Sequence, residues 1–167
     1  MVQKIQLTKG MFALVDDEDF LVLNQYKWVY EGGYAVRDTY ITLFGVKIRH
    51  HRFMHREIFD LPYSPRDKIF VDHIDHNKLN NQKSNLRLVT RSLNGLNRKL
   101  NKDNTTGYKG VSLHKPSGLY IAAITINQKV KVLKYSKNPK EAAEAYDKYI
   151  EEHYPEYGLT NKILGLL

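Results

Sequence analysis

The sequence predicts an α+β fold in three parts: a β-rich module over residues 1–61, a strand–loop–strand–helix core over 62–104, and a three-stranded antiparallel sheet packed on one helix over 105–167. Three observations predict it. Short apolar runs bounded by Gly, Pro and Asn recur from Ile5 to Tyr135, as strands and their turns do. One stretch, Pro139 to His153, carries Ala142, Ala145, Tyr146 and Tyr149 at helical spacing behind Asn138-Pro139, a good helix start. Asn-rich segments separate the parts.

The elements follow in order. Ile5 to Val15 suits a strand pair, and Asp16-Asp17-Glu18-Asp19 opens an apolar stretch, Phe20 to Tyr26, with acids where a helix N-terminus favours them. Trp28-Val29-Tyr30 and Tyr34-Ala35-Val36 flank Gly32-Gly33 as a hairpin, and Thr39 to Leu43 with Val46 to Phe53 form a second, turning near Gly45. Met54 to Phe59 reads as one or two helical turns, and Leu61 to Lys68, with Pro62 and Pro65, as a connector. Ile69 to Ile74 is a short strand, Asp75 to Asn85 an irregular loop, Leu86 to Thr90 a second strand, and Ser92 to Leu100 a helix capped by Ser92. Beyond the linker Asn101 to Thr106 come strands at Tyr108 to His114, Leu119 to Ile126 and Val130 to Tyr135, then the Pro139 helix.

The 167 residues hold no cysteine, so disulfides and thiolate zinc sites are excluded and a reducing, cytoplasmic setting is expected. No apolar run is long enough to span a membrane, and the first residues lack the pattern of a secretory signal, so no membrane partner is expected. The net charge is +8. Residues 1–61 balance eight basic against eight acidic side chains, 62–104 carry nine basic and four acidic, and 105–137 carry six lysines and no acid. Residues 138–167 reverse the sign, with three lysines against six acids. Two consecutive basic segments are the footprint expected of a nucleic-acid partner.

Within the core, Asp72 and His73 stand side by side at a strand end, and eight asparagines lie from Asn77 to Asn104. Turn chemistry accounts for Asn77, Asn80 and Asn81, but not for Asn94 and Asn97 in a helix, where Asn is a poor former. Phosphodiester hydrolysis needs a base for water and hard oxygen ligands for a cation that stabilises charge. At a strand end one of Asp72 and His73 can face a metal while its neighbour faces the water, and Asn94 can add a neutral oxygen.

The order Asp72-His73, then Asn85-Leu86-Arg87, then Asn94 and Asn97, resembles the HNH endonucleases of the ββα-metal fold, most closely the phage and intron-encoded homing type. The resemblance implies His73 as general base, Asp72 and Asn94 as ligands of one Mg²⁺ or Mn²⁺, and Asn85 as the residue that pins the loop. His76 stands where such relatives more often carry glycine or a small polar residue. Asn97 and Arg98 either face DNA phosphates or solvate the helix; Arg87 joins them as a candidate DNA contact.

The segments Thr106 to Val111, Leu119 to Ile124 and Pro139 to Asp147 resemble the APETALA-type DNA-binding domain of ethylene-response factors, whose sheet enters the major groove. Ser112 and His114 replace common arginines there, and Lys134 a usual glycine. Lys109, Lys115, Lys129 and Lys131 are the candidate phosphate or base contacts, with a solvated lysine face as the alternative. The N-terminal region resembles the module that commonly precedes such a core, and its Lys47 to Arg56 stretch supplies Arg49 and Arg52 as candidate DNA contacts. A histidine-rich zinc site at His51 and His55 is disfavoured, because the segment reads as strand and no acid lies close. The expectation is a double-stranded-DNA endonuclease acting as a monomer or weak dimer, with no small-molecule cofactor. A catalytically silent DNA-binding regulator of the same fold is the alternative.

Overall fold

The computed structural model describes residues 1–61 and 68–167, and helix and strand are mixed throughout. The expected connector residues Pro62 and Pro65 lie outside the described residues. The chain forms two compact units, Met1–Val89 and Thr90–Leu167.

In the first unit, β1 (Val2–Gln6) and β2 (Phe12–Asp16) pair antiparallel, from Val2 opposite Asp16 to Gln6 opposite Phe12. Helix α1 (Asp17–Asn24) follows at once, with Asp17, Glu18 and Asp19 in its first turn, where exposed amides favour negative charge. The two expected hairpins share a strand. β3 (Val29–Glu31), β4 (Tyr34–Leu43) and β5 (Val46–Phe53) form a meander in the order β3-β4-β5. Gly32 and Gly33 both have positive φ, at 59° and 91°, the backbone that a tight two-residue hairpin turn requires. Helix α2 (Met54–Ile58) then brings Met54, His55 and Arg56 inward. Ile5, Leu7, Ala13, Val15, Leu23, Trp28, Ala35 and Met54 make the core, and the buried Trp28 indole donates to the Leu23 carbonyl at 2.8 Å.

β6 (Ile69–His73) and β7 (Leu86–Thr90) pair as a two-stranded sheet, joined by the Asn-rich loop. That loop is bolted to the N-terminal hairpin. The Leu14 amide donates to the Leu79 carbonyl and the Asn81 amide to the Leu14 carbonyl, each at 2.8 Å. Asp16 accepts from the Lys83 amide at 2.7 Å and from the Gln82 side chain at 3.2 Å. Where the three-part reading separates 1–61 from 62–104, backbone pairing therefore crosses the divide, and β7 leads into the second unit.

There α3 (Arg91–Leu96) is shorter than expected and is capped by Thr90, whose hydroxyl accepts from the Leu93 amide at 3.3 Å. Ser92, the expected cap, instead accepts from the Asn127 amide at 2.9 Å. Asn97 is buried at the helix C-cap, with helical backbone angles of φ −82° and ψ −3°. β8 (Val111–His114), β9 (Leu119–Ile126) and β10 (Lys129–Ser136) form an antiparallel sheet ordered β10-β9-β8. Helix α4 (Pro139–His153) packs on it, capped by Asn138, which accepts from the Lys140 amide at 2.9 Å. Ala142, Ala143, Tyr146 and Ile150 close on Val111, Ala122 and Ile124. Glycine is required at 110: φ is +74°, and an added Cβ would stand 2.1 Å from the Tyr146 ring.

Asp147, on the buried side of α4, is fully enclosed. Its carboxylate accepts from the Asn161 amide and side chain, each at 2.8 Å, and from the Lys162 amide at 2.9 Å. A carboxylate with three N–H donors can be buried, and it fixes the C-terminal turn under the helix. Among the described residues, no helix is long and apolar enough to cross a membrane.

Candidate active site

Asn85 organises the loop between β6 and β7. Its carbonyl oxygen accepts from the Asp75 amide at 3.0 Å, while its amide nitrogen donates to Asp75 Oδ1 at 2.9 Å and to the Asn80 carbonyl at 2.8 Å. Asp75 in turn accepts from the Asn80 side chain and the Asn77 amide. Burial pushes the Asp75 carboxyl up, but the Asn80, Asn77 and Asn85 donors outweigh it and hold the group below the usual carboxylate range. His76 takes a left-handed backbone, φ +64°, in this turn. That conformation suits glycine better than a residue with a Cβ.

The loop geometry ends β6 with Asp72 and His73 both buried. Asp72 Oδ2 receives two donors from Arg87 of β7, Nε at 2.9 Å and a terminal nitrogen at 2.7 Å. Arg87, a candidate DNA contact from sequence, is thus engaged by a carboxylate within its own sheet. The expected metal ligand Asp72 is an oxygen donor fixed in place by that pair.

His73 is 6% exposed and its Nε2 lies 3.4 Å from Asn81 Oδ1. Asn81 is fully buried, and its amide nitrogen donates to the Leu79 carbonyl at 3.2 Å. The Asn81 oxygen therefore faces the imidazole, where it can accept from Nε2 of the ring. The His73 ring also packs edge-on against His55, with centroids 5.0 Å apart, and near Tyr34 at 6.1 Å. Burial lowers the His73 pKa, with the Asn81 contact and the Asp75 and Asp72 charges opposing it. Burial pushes His55 down to about 3, helped by the neighbouring His73 and Arg56. Burial thus favours the neutral form of both adjacent imidazoles.

Asn81 is the residue that sequence reasoning passed over. An asparagine eight positions after His73 looks like any other turn residue; only the parallel bridge between Leu14 and Asn80 turns it inward. Replacing Asn81 with Ala removes the oxygen that faces Nε2 of the imidazole. The expected result is a fall in kcat of about tenfold or more with little change in KM. Asn81→Asp should move the pH profile to higher pH, because a carboxylate stabilises the imidazolium. A pH profile unchanged in Asn81→Asp would remove Asn81 from the site.

Asn94 is half-buried on α3 in the second unit, and Asn97 is buried at its end, so Asn97 packs and is not displayed. Arg98, Lys115 and Lys129 are exposed. Lys109 differs from expectation: it is buried, its ammonium donates to the Leu96 carbonyl, its backbone amide donates to Asn161 at 2.7 Å, and burial lowers its pKa to about 8 against the pull of Asp147. It holds the second unit together and is not a surface contact. Lys131 is exposed, and its ammonium donates to the Tyr149 hydroxyl at 3.2 Å. Register places it beside Ile124, on the face that α4 covers, with its ammonium 4.5 Å from the Tyr149 ring centre. Lys134 shares that side, 3.4 Å from Glu141. In the first unit Arg49 is exposed beside Asp38 at 2.8 Å, and Arg52 is half-buried opposite Arg37. His51 lies between Asp38 and Glu31, at 2.8 and 3.4 Å, so it is held by carboxylates and not turned towards His55.

One hard oxygen donor beside a neutral base suits a cation that keeps most of its positions for water and phosphate. Among the described residues, no group of three or more His, Asp or Glu is arranged to enclose a metal. A family model described as HNH endonuclease matches residues 52–96. The uncharacterized HNH endonuclease L560 of Acanthamoeba polyphaga mimivirus is 35% identical over 156 residues, covering 93% of this chain and 77% of that protein. Protein 3.8 of Escherichia phage T7 is 36% identical over 76 residues, 45% of this chain and 63% of its own length. No solved structure matches.

Proposed function

The chain belongs to the HNH endonuclease family, and from that premise we propose that it hydrolyses phosphodiester bonds in double-stranded DNA with His73 as general base. The observation that carries the reading is the buried imidazole of His73, with Asn81 Oδ1 3.4 Å from its Nε2; in this reading Nε2 bears the proton and Nδ1 is the basic nitrogen. A water beside Nδ1 loses its proton to the ring as its oxygen attacks phosphorus. The bond from phosphorus to the 3′ oxygen breaks, and that oxygen takes a proton from solvent, leaving a 3′ hydroxyl and a 5′ phosphate. Burial keeps the ring neutral and ready to accept that proton, at the cost of some basicity.

Asp72 is the group that would ligate one Mg²⁺ or Mn²⁺, with Arg87 fixing its orientation. Asn94 is carried into the ligand set by the resemblance to homing-type relatives. A divalent ion there supplies positive charge to the phosphate and the leaving oxygen. The second unit serves target choice in the manner of the APETALA-type domain it resembles, with exposed Lys115 and Lys129, not Lys109 or Lys131, as phosphate contacts. The non-cutting regulator has one observation in its favour, because the Arg87 pair already satisfies much of the Asp72 charge.

Plasmid nicking separates the two. Supercoiled DNA incubated with the chain and Mg²⁺ should convert to the nicked or linear form, and EDTA should stop the conversion. Conversion unaffected by EDTA would remove the metal from the reading; none in either sample would leave the regulator.

A further inference from the structure

We infer that the β4–β5 hairpin is an arm that enters a groove of duplex DNA and drives Phe44, at its tip, between two base pairs. The inference rests on the proposed DNA substrate but assigns a role to residues outside the catalytic site.

The arm is long, and only its base joins a core. Ala35 and Val36 are buried, and Tyr40, Ile41, Leu43, Val46 and Ile48 farther out are exposed. Pairing runs unbroken from Val36 opposite Phe53 to Leu43 opposite Val46. The turn consists of Phe44 and Gly45, with φ of 48° and 80°. Asn-Gly is the favoured pair for such a turn, and a bulky aromatic in the left-handed region is an energetic penalty without local return. Phe44 is also 98% exposed, so it contributes nothing to this fold. Strain combined with full exposure points to a contact made elsewhere.

The two faces of the arm are chemically different. Cross-strand pairs Ile41–Ile48 and Leu43–Val46 lie on one face, continuous with the tip. Tyr40–Arg49 and Thr42–Lys47 lie on the other, where the Lys47 ammonium sits 4.5 Å from the Tyr40 ring centre. From Thr39 to Arg52 there are three Lys or Arg, two His and no acid. This charge decides the occupant. The carboxylate of the arm, Asp38, lies towards its base and is already paired with Arg49 at 2.8 Å, so a second copy of the arm would bring its outer half, with Lys47 and no acid, against like charge. A duplex offers phosphates to the basic side chains and stacked apolar bases to the tip. A two-stranded ribbon fits a DNA groove, and an inserted apolar side chain unstacks a step and kinks the helix.

Unwinding gives a test that needs no target sequence. Full-length chain carrying His73→Ala is bound to relaxed closed-circular plasmid in EDTA with a metal-independent topoisomerase, and the linking number is read after deproteinisation. A shift that grows with bound protein is expected. Adding Phe44→Ala should abolish it and weaken duplex binding by roughly tenfold, as loss of one base–aromatic stack does. Phe44→Trp should keep the shift, with its emission quenched on DNA while buried Trp28 gives a constant background. An unchanged shift in Phe44→Ala, or saturating binding with no shift, would overturn the wedge. So would a concentration-dependent dimer that Phe44→Ala dissolves, which would make the arm a self-association surface. Nicking by the unaltered chain with Mg²⁺ is scored separately: nicking without a shift removes the wedge alone, and absence of any duplex binding removes both readings.

Discussion

His73→Ala is expected to slow nicking of supercoiled plasmid by roughly 10²–10⁴-fold, the usual worth of a positioned general base, while leaving duplex affinity nearly unchanged. Nicking at the unaltered rate would end the assignment. The loss should fall on kcat, because His73 is buried at a strand end and not on the basic surface. The same burial sets the pH dependence. The base must be neutral to act, and burial lowers its pKa, so the acid limb of the rate profile should lie below pH 6.5. Stability follows with a definite sign. His55 is pushed down to about 3 and His73 is lowered, so the unfolded chain takes up these protons before the folded one does. The stabilisation is complete above about pH 6.5 and is lost as pH falls from there towards 3, by up to about 1.4 kcal/mol per pH unit for each histidine. With the rings 5.0 Å apart the slope belongs to the pair. Denaturant unfolding followed by Trp28 emission at several pH values checks it, and a flat response from pH 6.5 to 5 would contradict the buried neutral pair.

The parts of this site legible in sequence were those whose chemistry is local. Asp72-His73 at a strand end and Asn85 before the next strand can be read because strand direction and spacing place them. Asn81 could not, because its inward turn comes from pairing with Leu14, 67 residues earlier. Which face of the sheet each lysine of the second unit takes was not legible for a related reason. Lys131 pairs with Ile124, and a register shift between Val132 and Lys134 breaks the alternation of β10 and brings Lys134 to the same, helix-facing side. Lys109 and Asp147 defeat composition altogether, since buried charge is tolerated only where partners from distant segments converge. Thr90 outcompeted Ser92 as the cap of α3 because Ser92 is occupied by Asn127.

The Asp72–Arg87 pair gives the second large expected effect. The two side chains are 9% and 15% exposed, so the pair is well shielded from water and salt. Breaking a buried pair by removing one partner exposes the other to its desolvation cost, and Arg87→Ala should destabilise the first unit by about 3 kcal/mol. Cleavage should fall as well, since the carboxylate loses the two donors that aim it. If Arg87 instead served DNA directly, the same substitution would weaken duplex binding and leave unfolding unchanged, which is the outcome that would return it to the interface. Replacing both partners at once, Asp72→Asn with Arg87→Gln, removes the charges together and should recover much of the lost stability. It should not recover cleavage, because the carboxylate oxygen is gone. Stability and activity then part company in one variant, and a double substitution that restored both would show that Asp72 serves the fold alone.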